Sequence, residues 1–382
     1  MRIAMFVDCY HPIINGVTTS VQLLALALRD RGHEVLVFAP EVAGYADSEP
    51  WVRRFASLTF PLHREERFSL PWPTAHLSEA LRFAPDVVHL HTPFNVGLMG
   101  WWVAARLGRP RVFTHHTLFD EYLHYLPLPR SLTRPVAVGI CRWFWNTSAL
   151  VLAPSEEVRL RVQEQGLARP LRVLPTGVDG ASFQGGDGRR VRDELGLDPG
   201  DRVLLYMGRI AREKSLDFLL EVLRRALRDE PRLRLLLLGD GPERPALEAR
   251  AARLGLGDRV LFPGYRPRAE LRDYLAAARL FVFTSQTETQ GLVLLEAQSA
   301  GLPVVAVRAC GSSEAVSPEE GGLLIPPGDL EAFAGAVVRL VGDDALRSRL
   351  SRGARAWAGQ FSTGAMGARA LEAYSEAVRA GG

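Results

Sequence analysis

The sequence predicts an α/β protein made of two doubly wound, Rossmann-like parallel-sheet domains. Three observations carry this reading. The chain has 382 residues, comfortable for two domains of about 100 to 200 residues each. Apolar runs of strand length alternate with helix-length periodic segments, the pattern of βαβ units around a buried sheet. A stretch dense in glycine and poor in apolar residues, GVDGASFQGGDG from Gly177 to Gly188, then reads as the joint between two such halves.

In the first half the strand runs are RIAMFV, EVLVFA, DVVHLH, RVFTHH and ALVLAPS, with VQLLALALRDRG as the first helix and RVLPTGVD as the last short strand. The second half repeats the scheme with RVLLYMG, LRLLLLGDG, RVLFPG, LFVFTS, PVVAV and GGLLIP. Its helices are expected near Leu216 to Leu227, Pro245 to Leu254, Arg268 to Ala277 and Leu292 to Ala300, and the pattern is wholly helical after Asp329. Such sheets place their functional loops at the carboxyl ends of the strands, so the cleft between the two domains is the expected site.

Composition narrows the function classes. The net charge of +3, from 46 basic and 43 acidic residues, leaves no overall footprint for nucleic acid. Cys9, Cys141 and Cys310 are far apart, which suits reduced thiols in a cytoplasmic protein. The N-terminal apolar run is broken by Asp8 and is not expected to be a signal peptide. No run approaches the 18 to 20 apolar residues, roughly, that span a bilayer, so any membrane contact is expected from one side. Asparagine occurs only three times, which fits a biased genome or a hot environment.

Lys214 is the single lysine against forty-five arginines. It lies in GRIAREKSLD, directly after the strand RVLLYM and beside the start of a helix, where free N–H groups favour an anion. Lys214 could instead pair with Glu213 or Asp217 on a solvated face. Yet lysine is a compact point charge and arginine a wide fork. A chain that uses arginine elsewhere and lysine here points, with Arg209, to a diphosphate cradle.

A second constellation is TSQTETQGLVLLEAQSAGLPVVA, Thr284 to Ala306. Glu288 and Glu296 are eight residues apart, about 80° off a common helical face. Glu288 is therefore expected in the loop after LFVFTS, with the N–H groups of Gly291 and Leu292 opening a helix toward an anion and Glu296 inside it. Carboxylates accept from hydroxyls, so two acids flanking a helix start suit a phosphorylated sugar. Glu296 could also form an ion pair within its helix; its apolar neighbours mark it as a semi-buried acid that needs a partner.

These segments resemble glycosyltransferase family 4, the retaining enzymes of the two-domain GT-B fold. The family's two glutamates with seven residues between them stand here as E-TQGLVLL-E, and its phosphate segment as Gly208, Arg209 and Lys214. INGV (Ile14 to Val17), LPTGVD and LLGDGPE match further. HTPF (His91 to Phe94), THHTLFDEYLHYLP (Thr114 to Pro127) and TETQG (Thr287 to Gly291) resemble bacterial diacylglycerol glycosyltransferases.

The resemblance implies an N-terminal acceptor-side domain over 1–182, a donor domain over 183–360, and a helix over 361–382 packing back on the first domain. It implies that Arg209 and Lys214 bind the donor diphosphate, that Glu296 holds ribose, that Glu288 contacts the transferred sugar, and that Gly16 lets a loop approach the donor. His116 matches the family's active-site histidine. His115 is its rival, one of the two being structural, and His91 is expected to be a hydrogen-bonded loop or core residue. No D-x-D motif occurs, and neither a metal nor another cofactor is expected.

The window Trp101 to Trp145 contains Trp101, Trp102, Trp143 and Trp145, six arginines including Arg130, Arg134 and Arg142, and two acids. Aromatic anchors with arginines suit an anionic membrane surface, although the rings could instead fill the core. The expectation is thus hexose transfer from a nucleotide-diphosphate sugar, a UDP-sugar being favoured, to a lipid acceptor. The acceptor is expected to be diacylglycerol at the inner face of the cell membrane. The rivals are a soluble transferase such as a mannosyltransferase, a non-catalytic sugar-nucleotide binder, and a nicotinamide dehydrogenase. The last is disfavoured because no G-x-G-x-x-G follows the first strand.

Overall fold

A computed structural model of the chain describes residues 1–13, 15–60, 63–69, 75–118 and 129–381. The chain forms two compact units, one of Met1–Gly177 with Thr363–Gly382 and one of Val178–Ser362.

The first unit runs β1 (Arg2–Phe6), α1 (Gly16–Arg29), β2 (Glu34–Pro40), β3 (Val52–Phe55), β4 (Ser57–Phe60), β5 (His63–Ser69), α2 (Ala75–Phe83), β6 (Val87–Leu90), α3 (Asn95–Leu107), β7 (Arg111–Thr114), α4 (Arg130–Asn146), β8 (Leu150–Ala153), α5 (Glu156–Glu164) and β9 (Leu171–Val173). Seven strands form a parallel sheet in the order β3-β2-β1-β6-β7-β8-β9. Its central strands are buried along their whole length, as expected of strands covered on both faces.

β3 and the antiparallel pair β4–β5 have no counterpart among the expected strands. VRRF lacks an apolar run because its arginines are paired, Arg53 with Glu79 and Arg54 with Asp47. HREERFS is charged through most of its length.

The second unit runs α6 (Gly188–Glu194), β10 (Arg202–Met207), α7 (Leu216–Ala226), β11 (Leu233–Leu238), α8 (Arg244–Arg253), β12 (Val260–Gly264), α9 (Leu271–Ala277), β13 (Leu280–Phe283), α10 (Leu292–Ser299), β14 (Val304–Val307), α11 (Cys310–Ala315), β15 (Gly322–Ile325), α12 (Leu330–Gly342) and α13 (Asp344–Gly359). The parallel sheet order is β12-β11-β10-β13-β14-β15, so the winding reverses between β10 and β13. All six strands coincide with the apolar runs, whose side chains fill one continuous core.

The stretch Gly177 to Gly188, read as a joint, is packed rather than loose. Phe183 is buried in the core of the second unit. A Cβ on Gly186 would lie 2.1 Å from the Arg272 carbonyl oxygen, and one on Gly188 would lie 2.5 Å from that of Ala276. The glycines there permit close backbone approach to α9.

The last helix, α14 (Thr363–Gly381), belongs to the first unit. Met366, Ala370, Ala373, Tyr374 and Ala377 recur at helical spacing and join the core formed by β1, β2 and α1.

Candidate active site

In the second unit the reversal between β10 and β13 brings two loops together at the carboxyl edge of the sheet, the place where doubly wound sheets bind ligands. After β10 the chain enters a short 3₁₀ turn, Arg212–Lys214, and Ser215 takes a left-handed conformation before α7 begins. Thr284, directly after β13, donates its hydroxyl to the Lys214 carbonyl at 2.9 Å. Ser285 donates to the Glu213 carbonyl at 3.4 Å. The two loops are thereby tied backbone to side chain.

Lys214 Nζ then reaches Glu288 Oε1 at 2.5 Å, both side chains being largely buried. Glu288, seventy-four positions away, is thus a partner of Lys214 that only the fold supplies. Burial works to raise the Glu288 carboxyl, but the Lys214 charge and its hydrogen bond, with one from Ser285, hold it below the ordinary value. A carboxylate and an ammonium group thus sit side by side in a largely buried setting.

Arg209 extends from the same strand end with an exposed side chain, and its carbonyl accepts from the buried Tyr206 hydroxyl at 2.9 Å. Gly291 precedes α10 at φ 72°, the left-handed region that favours glycine. A Cβ there would also crowd Leu294 at 2.9 Å. Leu292 opens the helix, and Glu296 is buried just over one turn along it.

Glu296 has the partner its surroundings demand. Arg268 Nη1 donates to Glu296 Oε1 at 2.8 Å, and the same guanidinium lies 4.8 Å above the Phe183 ring. Burial nonetheless outweighs Arg268, and the Glu296 carboxyl is raised. Sequence reasoning passed over Arg268 as a site residue. It lies in YRPRAE with other arginines on either side, and only the fold brings it to α10.

In the first unit the winding reverses between β1 and β6. Asp8, just after β1, accepts from the Val96 N–H at 2.8 Å and from the Thr92 hydroxyl. Burial raises its carboxyl despite these donors. His91 Nδ1 and His116 Nε2, at the ends of β6 and β7, are 2.9 Å apart in a hydrogen bond.

The two histidines at the end of β7 differ in exposure. His115 is buried with its ring edge-on to Trp145 at 5.1 Å. His116 remains partly accessible, and burial, with His115 alongside, pushes its imidazole down to about 3. His91 is a loop residue with a hydrogen bond, as expected, and its partner is the candidate site histidine itself. Behind it His89 bridges the Tyr374 and Thr114 hydroxyls, each at 2.7 Å.

Gly16 is the first residue of α1, which Asn15 caps by accepting from the Thr18 N–H at 2.9 Å. Among the described residues a Cβ on Gly16 would meet nothing within 4 Å, so their packing does not require glycine there. Ile14 of the INGV segment and residues 119–127 of THHTLFDEYLHYLP lie outside the described residues, as does the Arg130 side chain. Among the described residues no cluster of three or more His, Cys, Asp or Glu could hold a metal ion.

The aromatic window divides. Trp145 is completely buried, which corrects its reading as a membrane anchor: its ring fills the core beneath α4 and against His115. Trp143 is 42% exposed and tilts against Trp101 at 5.0 Å. Trp101 and Trp102 are half-buried, and Arg134 and Arg142 are exposed. Leu132, Val136 and Ile140 are exposed as well. With Trp143 they recur every three to four residues, so α4 presents one apolar stripe to solvent.

Residues 187–357 match the family model described as Glycosyl transferases group 1, and residues 14–181 match Glycosyltransferase Family 4. Alpha-monoglucosyldiacylglycerol synthase of Streptococcus pneumoniae is 32% identical over 312 residues, 80% of this chain and 71% of that protein. The chain belongs to glycosyltransferase family 4. Another relative of this family 4 glycosyltransferase is the alpha-monoglucosyldiacylglycerol synthase of Acholeplasma laidlawii, 29% identical over 80% of each chain. The GDP-mannose-dependent alpha-mannosyltransferase of Mycobacterium tuberculosis is 32% identical over 94% of this chain and 93% of its own. Among solved structures, Anabaena Alr3699/HepE in complex with UDP and glucose superposes with a TM-score of 0.79 at 24% identity, covering 98% of this chain and 99% of that one. The fold of this glycosyltransferase is GT-B.

Proposed function

We propose that this family 4 glycosyltransferase moves a hexose, with retention of anomeric configuration and without a metal, from a nucleotide-diphosphate donor to diacylglycerol. The product is a membrane glycolipid, made at the inner face of the cell membrane by a peripherally bound enzyme. A UDP-sugar is the favoured donor.

The observation that carries the reading is the Lys214–Glu288 pair at the reversal of the second sheet. Lys214 and Arg209 supply positive charge for a diphosphate leaving group, the work a divalent metal does in other transferases. Glu288 accepts from hydroxyls of the transferred sugar, Glu296 from the ribose, and the N–H groups opening α10 at Gly291 and Leu292 face the phosphates. In the first unit His116 contacts the sugar as a neutral imidazole.

The lipid acceptor is supported by the likeness to two alpha-monoglucosyldiacylglycerol synthases and by the exposed apolar stripe of α4, a helix that also exposes Arg134 and Arg142. Among the described residues no helix is long and apolar enough to cross a membrane. The second reading, a mannosyltransferase with a non-lipid acceptor, is favoured by the mycobacterial relative that aligns over nearly the whole chain.

A panel of UDP- and GDP-sugars, each assayed with diacylglycerol in mixed micelles and with soluble acceptors, separates the two readings. Activity with diacylglycerol that survives EDTA is the expected result. Turnover that EDTA abolishes and magnesium restores rejects the metal-free cradle, and preference for GDP-mannose with a soluble acceptor supports the second reading.

A further inference from the structure

A concentration of positive charge in the second unit lies at the opposite edge of its sheet from Lys214. A cavity of about 580 Å³ opens there, where β10, β13 and β14 begin, and six arginines line it: Arg192, Arg202, Arg279, Arg347, Arg352 and Arg355. Arginine makes up 45 of the 382 residues, so a lining of fifteen residues would hold about two by composition alone. Six is an enrichment that composition does not explain.

Part of this charge has a structural use. Three helices end at this edge, and their last carbonyls need donors. Arg192 donates to the Ala277 carbonyl at the end of α9, Arg279 to Val341 in the last turn of α12, and Arg355 to Ala300 after α10. Arg279 and Arg347 also share Asp344.

Helix ends carry about half a negative charge each. Three of them with Asp201 and Asp344 leave the six guanidiniums with about two and a half positive charges in excess. Asp201 moreover pairs with Arg234 outside the cavity. The excess centres on Arg202 and Arg352. Among the described residues Arg202 Nε is buried with no hydrogen-bond partner, a costly state for a charged donor. The crowding is felt at Arg279, which burial and then the nearby Arg347 and Arg202 depress. Gly301, at φ +80°, holds the wall open, since a Cβ there would lie 2.3 Å from Arg355 Cζ.

We propose that this cavity binds a phosphate-bearing anion of two to three negative charges. The anion accepts from Arg202 and Arg352 and leaves the helix-capping arginines in place. The assignment is independent of the donor and acceptor proposed above, because no residue of the Lys214–Glu288 site takes part. A soluble phosphate compound and an anionic lipid headgroup share this chemistry.

The test uses the full chain, its Lys214→Ala variant and the double variant Arg202→Gln/Arg352→Gln, with pyrophosphate as the soluble probe and vesicles containing phosphatidic acid, whose phosphomonoester carries up to two negative charges, as the headgroup probe. Saturating pyrophosphate is expected to raise the melting temperature of wild type and of Lys214→Ala by roughly 5 to 10 °C, and that of the double variant by far less. Without anion the double variant should melt at or above wild type, since two repelling charges are gone. A headgroup ligand would show instead as at least threefold weaker vesicle binding by the double variant, with no pyrophosphate effect. If the double variant fails to fold, Arg352→Gln alone, at an exposed position, gives the same comparison with a smaller shift. The proposal is overturned if wild type responds to neither probe, or if the arginine variants respond to both as wild type does.

Discussion

Lys214 and Glu288 meet at 2.5 Å, which couples the residue assigned to the donor diphosphate to the residue assigned to the sugar. Removing either strands the other charge in a largely buried setting. Lys214→Ala is expected to lower turnover by about 10² to 10³-fold, and Glu288→Gln to lower it as well. The double variant should lose less than the product of the two, with a coupling of about 0.5 to 3 kcal/mol. Strict additivity in a double-mutant cycle on kcat would show that the two act separately. The Glu288 carboxyl is held low, so the ion pair stabilises the fold above the ordinary carboxylate range and is lost only as pH falls through the lowered value.

Glu296 behaves differently because it is raised rather than lowered. Glu296→Ala should mainly raise the KM for the donor, by the order of 10-fold to 100-fold that a charged hydrogen bond of about 1.5 to 3 kcal/mol supplies. Arg268 is the group that opposes burial there. Arg268→Ala should therefore move the acid limb of donor affinity to higher pH, because Glu296 then takes its proton sooner. An unchanged pH profile of KM would remove Arg268 from any part in donor binding.

The histidines of the first unit set a pH dependence of stability. Burial depresses His89, His91 and His116, the last to about 3. An unfolded histidine takes its proton near about 6.5, so below that pH the unfolded chain binds more protons and stability falls. Asp8, raised by burial, acts in the opposite sense but is one group against three. The melting temperature of the first unit should therefore drop between pH 7 and pH 5, and His91→Gln should flatten the slope. A melting temperature constant over that interval would contradict the buried neutral histidines.

Gly16 provides a test free of stability effects. Among the described residues a Cβ there meets nothing within 4 Å, and alanine suits a helix start at least as well as glycine. Gly16→Ala should leave the melting temperature within about 1 °C and lower kcat/KM for the donor. Equal loss of both would make Gly16 a folding residue.

Most of this fold was legible because buried parallel strands must be apolar throughout. RVLLYM, LRLLLL and LFVF announce themselves, and the loops that follow them inherit their place at the sheet edge. That is why Lys214, Glu288 and the start of α10 could be placed from spacing. What stayed hidden depends on partners distant in sequence. VRRF joins the sheet beside β2 with its arginines paired to Glu79 and Asp47, and Arg268 reaches Glu296 only through the packing of α10. Trp145 and Trp143 are two residues apart in one aromatic cluster, yet the turn of α4 sends one ring into the core and leaves the other 42% exposed.

That last contrast gives the sharpest test of membrane contact. Leu132 and Val136 are 67% and 62% exposed on α4, in line with Ile140 and Trp143, and Arg134 and Arg142 on the same helix are exposed. An arginine near an anionic surface contributes roughly 1 kcal/mol, and exposed charges are screened over about 10 Å at 0.1 M salt. Leu132→Ser/Val136→Ser and Arg134→Ser/Arg142→Ser should each release the enzyme from phosphatidylglycerol vesicles in sedimentation. Raising the salt should mimic the arginine variant alone. All four side chains are exposed, so melting temperature and donor-only hydrolysis should hold. Trp145→Ala should do the reverse, costing about 3 to 5 kcal/mol of stability without a specific loss of vesicle binding in the protein that remains folded. If wild type stays in the supernatant with anionic vesicles at low salt, or the α4 variants sediment as it does, the apolar stripe has no part in reaching a lipid acceptor. The soluble-acceptor reading then takes its place.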